Sequence, residues 1–215
     1  MVLEKKAFLF DFDGTLADTM EDNFRAWKKA CLEFNIKIKK EDYFLLEGMK
    51  LSDVAKEILK KNNIGENSEF LDILVSKKNE YYSKIAKFKV YKGVNELISE
   101  LKKRDIKLAI VTASPREKLE KTVPIKFLNQ FDCIISGDDV INGKPDPESY
   151  LKAIEKLKIK TNEAIIIENA PLGIEAAKNA NIYCIAVCST LTKEHLNKAN
   201  KIVENIESIK RIIIT

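Results

Sequence analysis

Short, unbroken apolar runs separated by helical stretches constrain this chain more than any other feature. The runs fall at Ala7–Phe10, Lys107–Val111, residues 133–136, residues 164–167, Tyr183–Val187 and, more briefly, 202–203. Strands apolar on both faces need cover on both faces, which is the habit of parallel sheets. Segments of helical periodicity lie between them. Residues 93–104 carry Val94, Leu97, Ile98 and Leu101 on one face; the others are 117–128 (interrupted at Pro124), 146–157, 172–179 and 192–199. This alternation predicts an α/β, Rossmann-like fold, a parallel sheet with helices on its faces. The terminal Ile212-Ile213-Ile214 reads equally as a last strand or a packed end.

One stretch breaks the alternation. Asp18 can cap a helix, with Glu21 three residues on and Phe24, Trp27 and Cys31 along one face. A short helix at 41–46 is broken at Gly48, and Ser52 can cap another running to about residue 62. Ser68 can cap a longer one, to about residue 88, with Phe70, Leu71, Leu74, Val75, Tyr81, Tyr82 and Ile85 as its apolar face. So many helices exceed what a plain connection requires. Residues 17–87 are therefore expected to form a small helical domain, inserted into an α/β core made of residues 1–16 and 88–215.

Polar residues gather where the strands end, the edge at which open parallel sheets bind ligands. The first strand runs into Asp11, with Asp13 two residues later and Gly14 free to turn the chain sharply. A hairpin turning at Asp13-Gly14 is the plain alternative, but helical periodicity follows and no partner strand does. Two carboxylates at the end of a buried strand call for a neutralising partner, and a metal ion serves well. The second strand ends at Thr112, Ala113 and Ser114, whose hydroxyls and backbone N–H groups suit a phosphate oxygen. Lys144 follows the third strand, stiffened between Gly143 and Pro145. Glu168 and Asn169 close the fourth, Glu168 as a metal ligand or a nearby base.

In order and spacing, Asp11–Leu16, Thr112–Ser114, Lys144 and Glu168-Asn169 resemble the four signatures of the haloacid dehalogenase superfamily. The helical insertion resembles the cap of the subgroup that includes β-phosphoglucomutase and phosphoglycolate phosphatase. The resemblance implies a Mg²⁺-dependent phosphatase that hydrolyses a small phosphate ester of a sugar, polyol or amino alcohol. Asp11 would be the covalent nucleophile, forming an aspartyl phosphate, and Asp13 the general acid and base. Asp11, the Asp13 carbonyl and Asn169 would hold Mg²⁺, with Glu168 beside them. Lys144, Thr112 and the N–H groups of Ala113 and Ser114 would hold phosphate oxygens. Gly14, Asn23, Glu47 and Lys50 are the candidates for substrate contact.

Two departures are specific to this chain. The fourth signature usually ends in two acids, whereas position 169 is an amide, which adds no charge to a cation's shell. The alternative activity is that of a phosphosugar mutase, whose cap loop uses a Lys-Gly-x-x-Arg pattern to hold a distal phosphate. Here that loop reads Glu47-Gly48-Met49-Lys50-Leu51, and Asn23 stands where the mutase has a histidine.

Composition excludes more than it assigns. A net charge of +4, from 37 basic and 33 acidic residues spread along the chain, does not suggest a nucleic-acid groove. No segment approaches the ~18 consecutive apolar residues of a membrane span. The charged start, Met1 to Lys6, lacks the core of a signal peptide. The four cysteines show no metal-ligand pattern and read as reduced thiols. A cytoplasmic monomer is expected.

Overall fold

The computed structural model describes residues 5–214, so the first four residues of the charged amino-terminal stretch lie outside it. Its centre is a six-stranded sheet: β1 (Ala7–Phe10), β2 (Lys107–Val111), β3 (Cys133–Ile135), β4 (Ala164–Glu168), β5 (Tyr183–Val187) and β6 (Lys201–Val203). The order is β3-β2-β1-β4-β5-β6, with every pairing parallel. β1 pairs with β2 on one side and β4 on the other, which disposes of the hairpin.

Alternation along β1 sorts its side chains between two cores. Phe8 and Phe10 face a cluster with Leu97, Ile98 and Leu101 of α5 (Val94–Lys103) and Ile209 of α10 (Ile206–Ile214). Ala7 and Leu9 face Tyr150 and Ile154 of α8 (Glu148–Leu157) and Ile174 of α9 (Pro171–Asn179). Phe8 and Phe10 are fully buried, each worth roughly 1.5–3 kcal/mol. The sheet is thus the middle of three layers. Two short helices, α6 (Arg116–Thr122) and α7 (Ile125–Leu128), meet at Pro124, as the sequence predicts.

Between β1 and β2 lie α1 (Met20–Leu32), α2 (Lys40–Phe44), α3 (Leu51–Lys61) and α4 (Ser68–Ile85). They share a third apolar cluster around Trp27, Leu59 and Leu74. Paired main-chain segments join this insert to the sheet: Asp18 N–H donates to the Lys89 carbonyl and Tyr91 N–H to that of Leu16. No helix among the described residues is long and apolar enough to cross a membrane.

Several local expectations shift. Thr19, not Asp18, precedes α1; Asp18 pairs with Lys89 instead, at 2.7 Å. Lys50 and Asn67, not Ser52 and Ser68, stand at the N-caps of α3 and α4, with Asn67 Oδ1 accepting from Phe70 N–H. α4 stops at Ile85, whose side chain is exposed, and Phe88 packs on the sheet's core. The helix expected at 192–199 is a single 3₁₀ turn, Lys193–Leu196. The terminal isoleucines end α10, as part of a helix.

Candidate active site

The strand ends bring together residues far apart in sequence. Asp11 N–H still donates to the Ile167 carbonyl, extending the β1–β4 ladder one residue past the strand. Lys144 reaches across to it. Its Nζ lies 2.6 Å from Asp11 Oδ1 and 2.6 Å from Glu168 Oε1, with all three side chains buried.

Glu168 is fixed from several directions. Tyr150 Oη donates to Oε1 at 2.8 Å, and the N–H groups of Asn169 and Ala170 donate to Oε2. Gly173 makes room for it, since a Cβ there would lie 1.7 Å from Oε1. Glu168 therefore anchors Lys144 and the start of α9, with both oxygens engaged.

Asp13 faces the insert. Thr19 Oγ1 donates to its Oδ1 at 2.6 Å, Asn23 Nδ2 to the same oxygen at 3.2 Å, and Ser114 Oγ to Oδ2 at 3.1 Å. Two lysines stand behind these donors. Lys78 Nζ, fully buried, donates to Asn23 Oδ1, and Lys118 Nζ donates to Ser114 Oγ. Tyr82 offers its ring to both ammonium groups, 4.8 and 4.2 Å from its centroid. Thr112 accepts from Ser114 N–H at 3.1 Å and so shapes the Thr112–Ser114 turn.

The electrostatics divide the two aspartates. Burial drives the Asp11 carboxyl well above its ordinary value despite Lys144, with Glu168 and Asp13 adding to the rise. Burial would raise Asp13 as well, but Lys118, the Thr19 hydroxyl, Lys78 and Ser114 outweigh it and hold it below its usual range. Burial and the neighbouring Lys118 push Lys78 well below an ordinary lysine. Burial works against the Lys144 charge, yet Asp11 and Glu168 win and raise it.

Glu47 and Lys50 bring the insert's loop to the core. Lys50 Nζ donates to the Val140 and Ile141 carbonyls at 2.6 and 2.9 Å, so its charge is spent as a latch. Glu47 is 7% exposed, and its Oε2 accepts from Asn169 Nδ2 at 2.8 Å. Burial, then Asp11, Asp13 and Glu168, drive its carboxyl well above the ordinary value. Gly14 has φ +87°, which the turn between the two halves of the site needs. The chamber bounded by Asp13, Asn23, Tyr43, Glu47, Met49 and Lys118 has a volume of about 40 Å³. A larger cleft, about 560 Å³, is lined by none of the strand-end residues above.

Sequence reasoning did not single out Thr15, Thr19, Lys78, Lys118, Tyr150 or Thr190. Lys78 left a trace: it falls in step with Leu71, Leu74 and Tyr82 on the buried face of α4.

A family model described as haloacid dehalogenase-like hydrolase matches residues 8–187. The chain belongs to the haloacid dehalogenase-like hydrolase family. Among relatives of this hydrolase is a phosphorylated carbohydrates phosphatase of Thermotoga maritima, 31% identical over 179 residues and covering 82% of each chain. A validoxylamine A 7′-phosphate phosphatase of Streptomyces hygroscopicus subsp. limoneus is 29% identical, covering 95% of this chain and 96% of its own. The crystal structure of a β-phosphoglucomutase from Clostridium difficile superposes with a TM-score of 0.85 at 27% identity. It covers 98% of this chain and 95% of that one.

A divalent cation fits what this hydrolase offers. Asp11 Oδ2 and Glu47 Oε1 are buried with no hydrogen-bond partner. Among the described residues no three His, Cys, Asp or Glu side chains form a ready metal cage. Mg²⁺ does not need one, because it keeps several waters and commonly takes one or two carboxylates together with substrate phosphate.

Proposed function

We propose that this hydrolase is a Mg²⁺-dependent phosphatase that cleaves small phosphate monoesters of sugars, polyols or amino alcohols through an aspartyl phosphate. The observation that carries the reading is Lys144 Nζ, 2.6 Å from both Asp11 Oδ1 and Glu168 Oε1, where the central strand ends. It puts a fixed cation beside a carboxylate that would otherwise repel a phosphate. Phosphatase relatives agree with it.

An Asp11 oxygen forms a bond to phosphorus while the bond to the ester oxygen breaks. Asp13 gives its proton to the departing alkoxide, then takes one from the water that attacks the aspartyl phosphate. Inorganic phosphate leaves and the Asp11 carboxylate is restored. With three donors on its oxygens, Asp13 stands here as a proton acceptor. For the first half-reaction it must arrive protonated, and the Ser114 hydroxyl can then turn from donor to acceptor. Lys144, the Thr112 hydroxyl and the Ala113 N–H hold phosphate oxygens in line, while the Ser114 N–H is turned to Thr112 Oγ1. Asp11 and the Asp13 carbonyl, next to Asn169, would hold Mg²⁺, which would supply charge that offsets that of the phosphate. Residues 17–87 act as a cap that excludes water.

Hydrolysis is favoured over phosphosugar isomerisation by the loop itself. Lys50 is latched to core carbonyls and Glu47 is an acid, which leaves no cation there for a second phosphate. A panel of small phosphate esters with Mg²⁺, scored for phosphate release, tests the activity. Release from at least one polyol or sugar phosphate is expected to exceed conversion of β-glucose 1-phosphate to glucose 6-phosphate. Faster conversion than any release would establish the mutase.

Asn169→Asp tests whether position 169 stands at the cation. A carboxylate there adds charge and loses the amide donor to Glu47, a loss that a cation between the two carboxylates offsets, so half-saturating Mg²⁺ should fall severalfold in activity titrations. An unchanged or higher value would move the side chain out of the cation's neighbourhood.

A further inference from the structure

Both polar atoms of Asn169 are engaged, with one lone pair left on Oδ1. Its Oδ1 accepts from Thr15 Oγ1 at 2.8 Å, and its Nδ2 donates to Glu47 Oε2 at 2.8 Å and to Thr190 Oγ1 at 3.0 Å. The amide therefore positions a carboxylate from the insert. The second oxygen of that carboxylate, Glu47 Oε1, is buried without a partner, as is Asp11 Oδ2. Oε1 stands over the signature turn, since a Cβ on Gly14 would lie 2.8 Å from it and 2.3 Å from Asn169 Nδ2. Residue 14 directly follows the Asp13 carbonyl, so the Glu47 oxygen stands over the loop that carries Asp11 and Asp13. A buried carboxylate oxygen with no donor is costly, and a cation removes that cost.

We propose that Glu47 is a ligand of the divalent cation, supplied by the helical insert, in place of the charge that Asn169 does not provide. The loop is built to deliver it: three residues on, Lys50 fastens the same segment to the Val140 and Ile141 carbonyls. A cation held by Asp11 from the sheet and Glu47 from the insert is fully coordinated only when the two are closed on each other. Cation binding and closure then favour one another by the same factor.

The inference rests on the Mg²⁺ reading of the site, and its test separates the two. Glu47→Gln keeps an acceptor for Asn169 Nδ2 and removes only the charge, so the closed fold is retained. Calorimetric titration of the full chain with Mg²⁺, without substrate, should show binding to the wild type that Glu47→Gln weakens by roughly tenfold or more. Small-angle scattering should show Mg²⁺ compacting the wild type and having less effect on the variant. Equal Mg²⁺ affinity in the two proteins would overturn the inference and leave the phosphatase reading intact. Mg²⁺ binding that depends on Glu47, in a protein that hydrolyses no ester, would uphold the inference and remove the phosphatase.

Discussion

Asp11→Asn is expected to lower turnover by about three orders of magnitude or more while the protein stays folded. An amide oxygen is too poor a nucleophile to displace an alkoxide from phosphorus, and neither Asp13 nor Glu168 can substitute for it. Asp13 is held toward the insert by Thr19, Asn23 and Ser114, and Glu168 has both oxygens engaged. The asparagine Oδ1 can still accept from Lys144. The lost charge is one that burial, Glu168 and Asp13 already disfavour, so the thermal midpoint of metal-free protein should not fall. Steady-state phosphate release by purified Asp11→Asn above a few per cent of wild type would rule out the aspartyl-phosphate route.

Lys144→Ala should injure both stability and activity. The lysine lies between two carboxylates at 2.6 Å each, and all three groups are shielded from water. Removing it leaves Asp11 and Glu168 buried and uncompensated, a situation that costs about 3–5 kcal/mol. Urea unfolding should therefore show a lower midpoint with little change in slope. Turnover should fall as well, because a dianionic phosphate would meet Asp11 with no fixed cation beside it. A variant with wild-type stability would mean that Lys144 is not the counterion that the geometry describes. Asp11→Asn and Lys144→Ala thus separate chemistry from charge balance: the first spares stability, and the second should not.

The sheet and its chemical edge were largely legible in the chain because both are written locally. A strand apolar on both faces announces itself in four or five residues, and a polar residue marks where it stops. Asp11, Thr112 and Glu168 could be placed at strand ends for that reason, with Lys144 on the stiff turn after the third strand, and the parallel sheet followed. What stayed hidden depends on partners distant in sequence. Lys78 is the clearest case: a lysine reads as solvated, and only the arrival of Asn23, 55 residues earlier, gives its ammonium an acceptor. Thr19 looks like an ordinary helix cap, yet its hydroxyl turns to Asp13. The engagement of Asn169 with Glu47 joins residues 122 apart and could not be read from either one's neighbours. Helix starts were misplaced by a residue or so because several capping residues stood side by side, and tertiary contacts chose among them.

The three apolar clusters have a bearing on how such a chain can diversify. Two of them flank the sheet and hold Asp11, Lys144 and Glu168 in place, while the third, around Trp27, belongs to the insert. Because the insert has its own interior, substitutions there can repack without loosening the strands. Under the proposed reaction, insert residues other than Thr19, Asn23, Lys78 and Glu47 would therefore be free to drift while the strand-end groups stay under tight packing constraint. A lineage built in this way can exchange one substrate for another by small steps, each of which leaves the bond-breaking apparatus working.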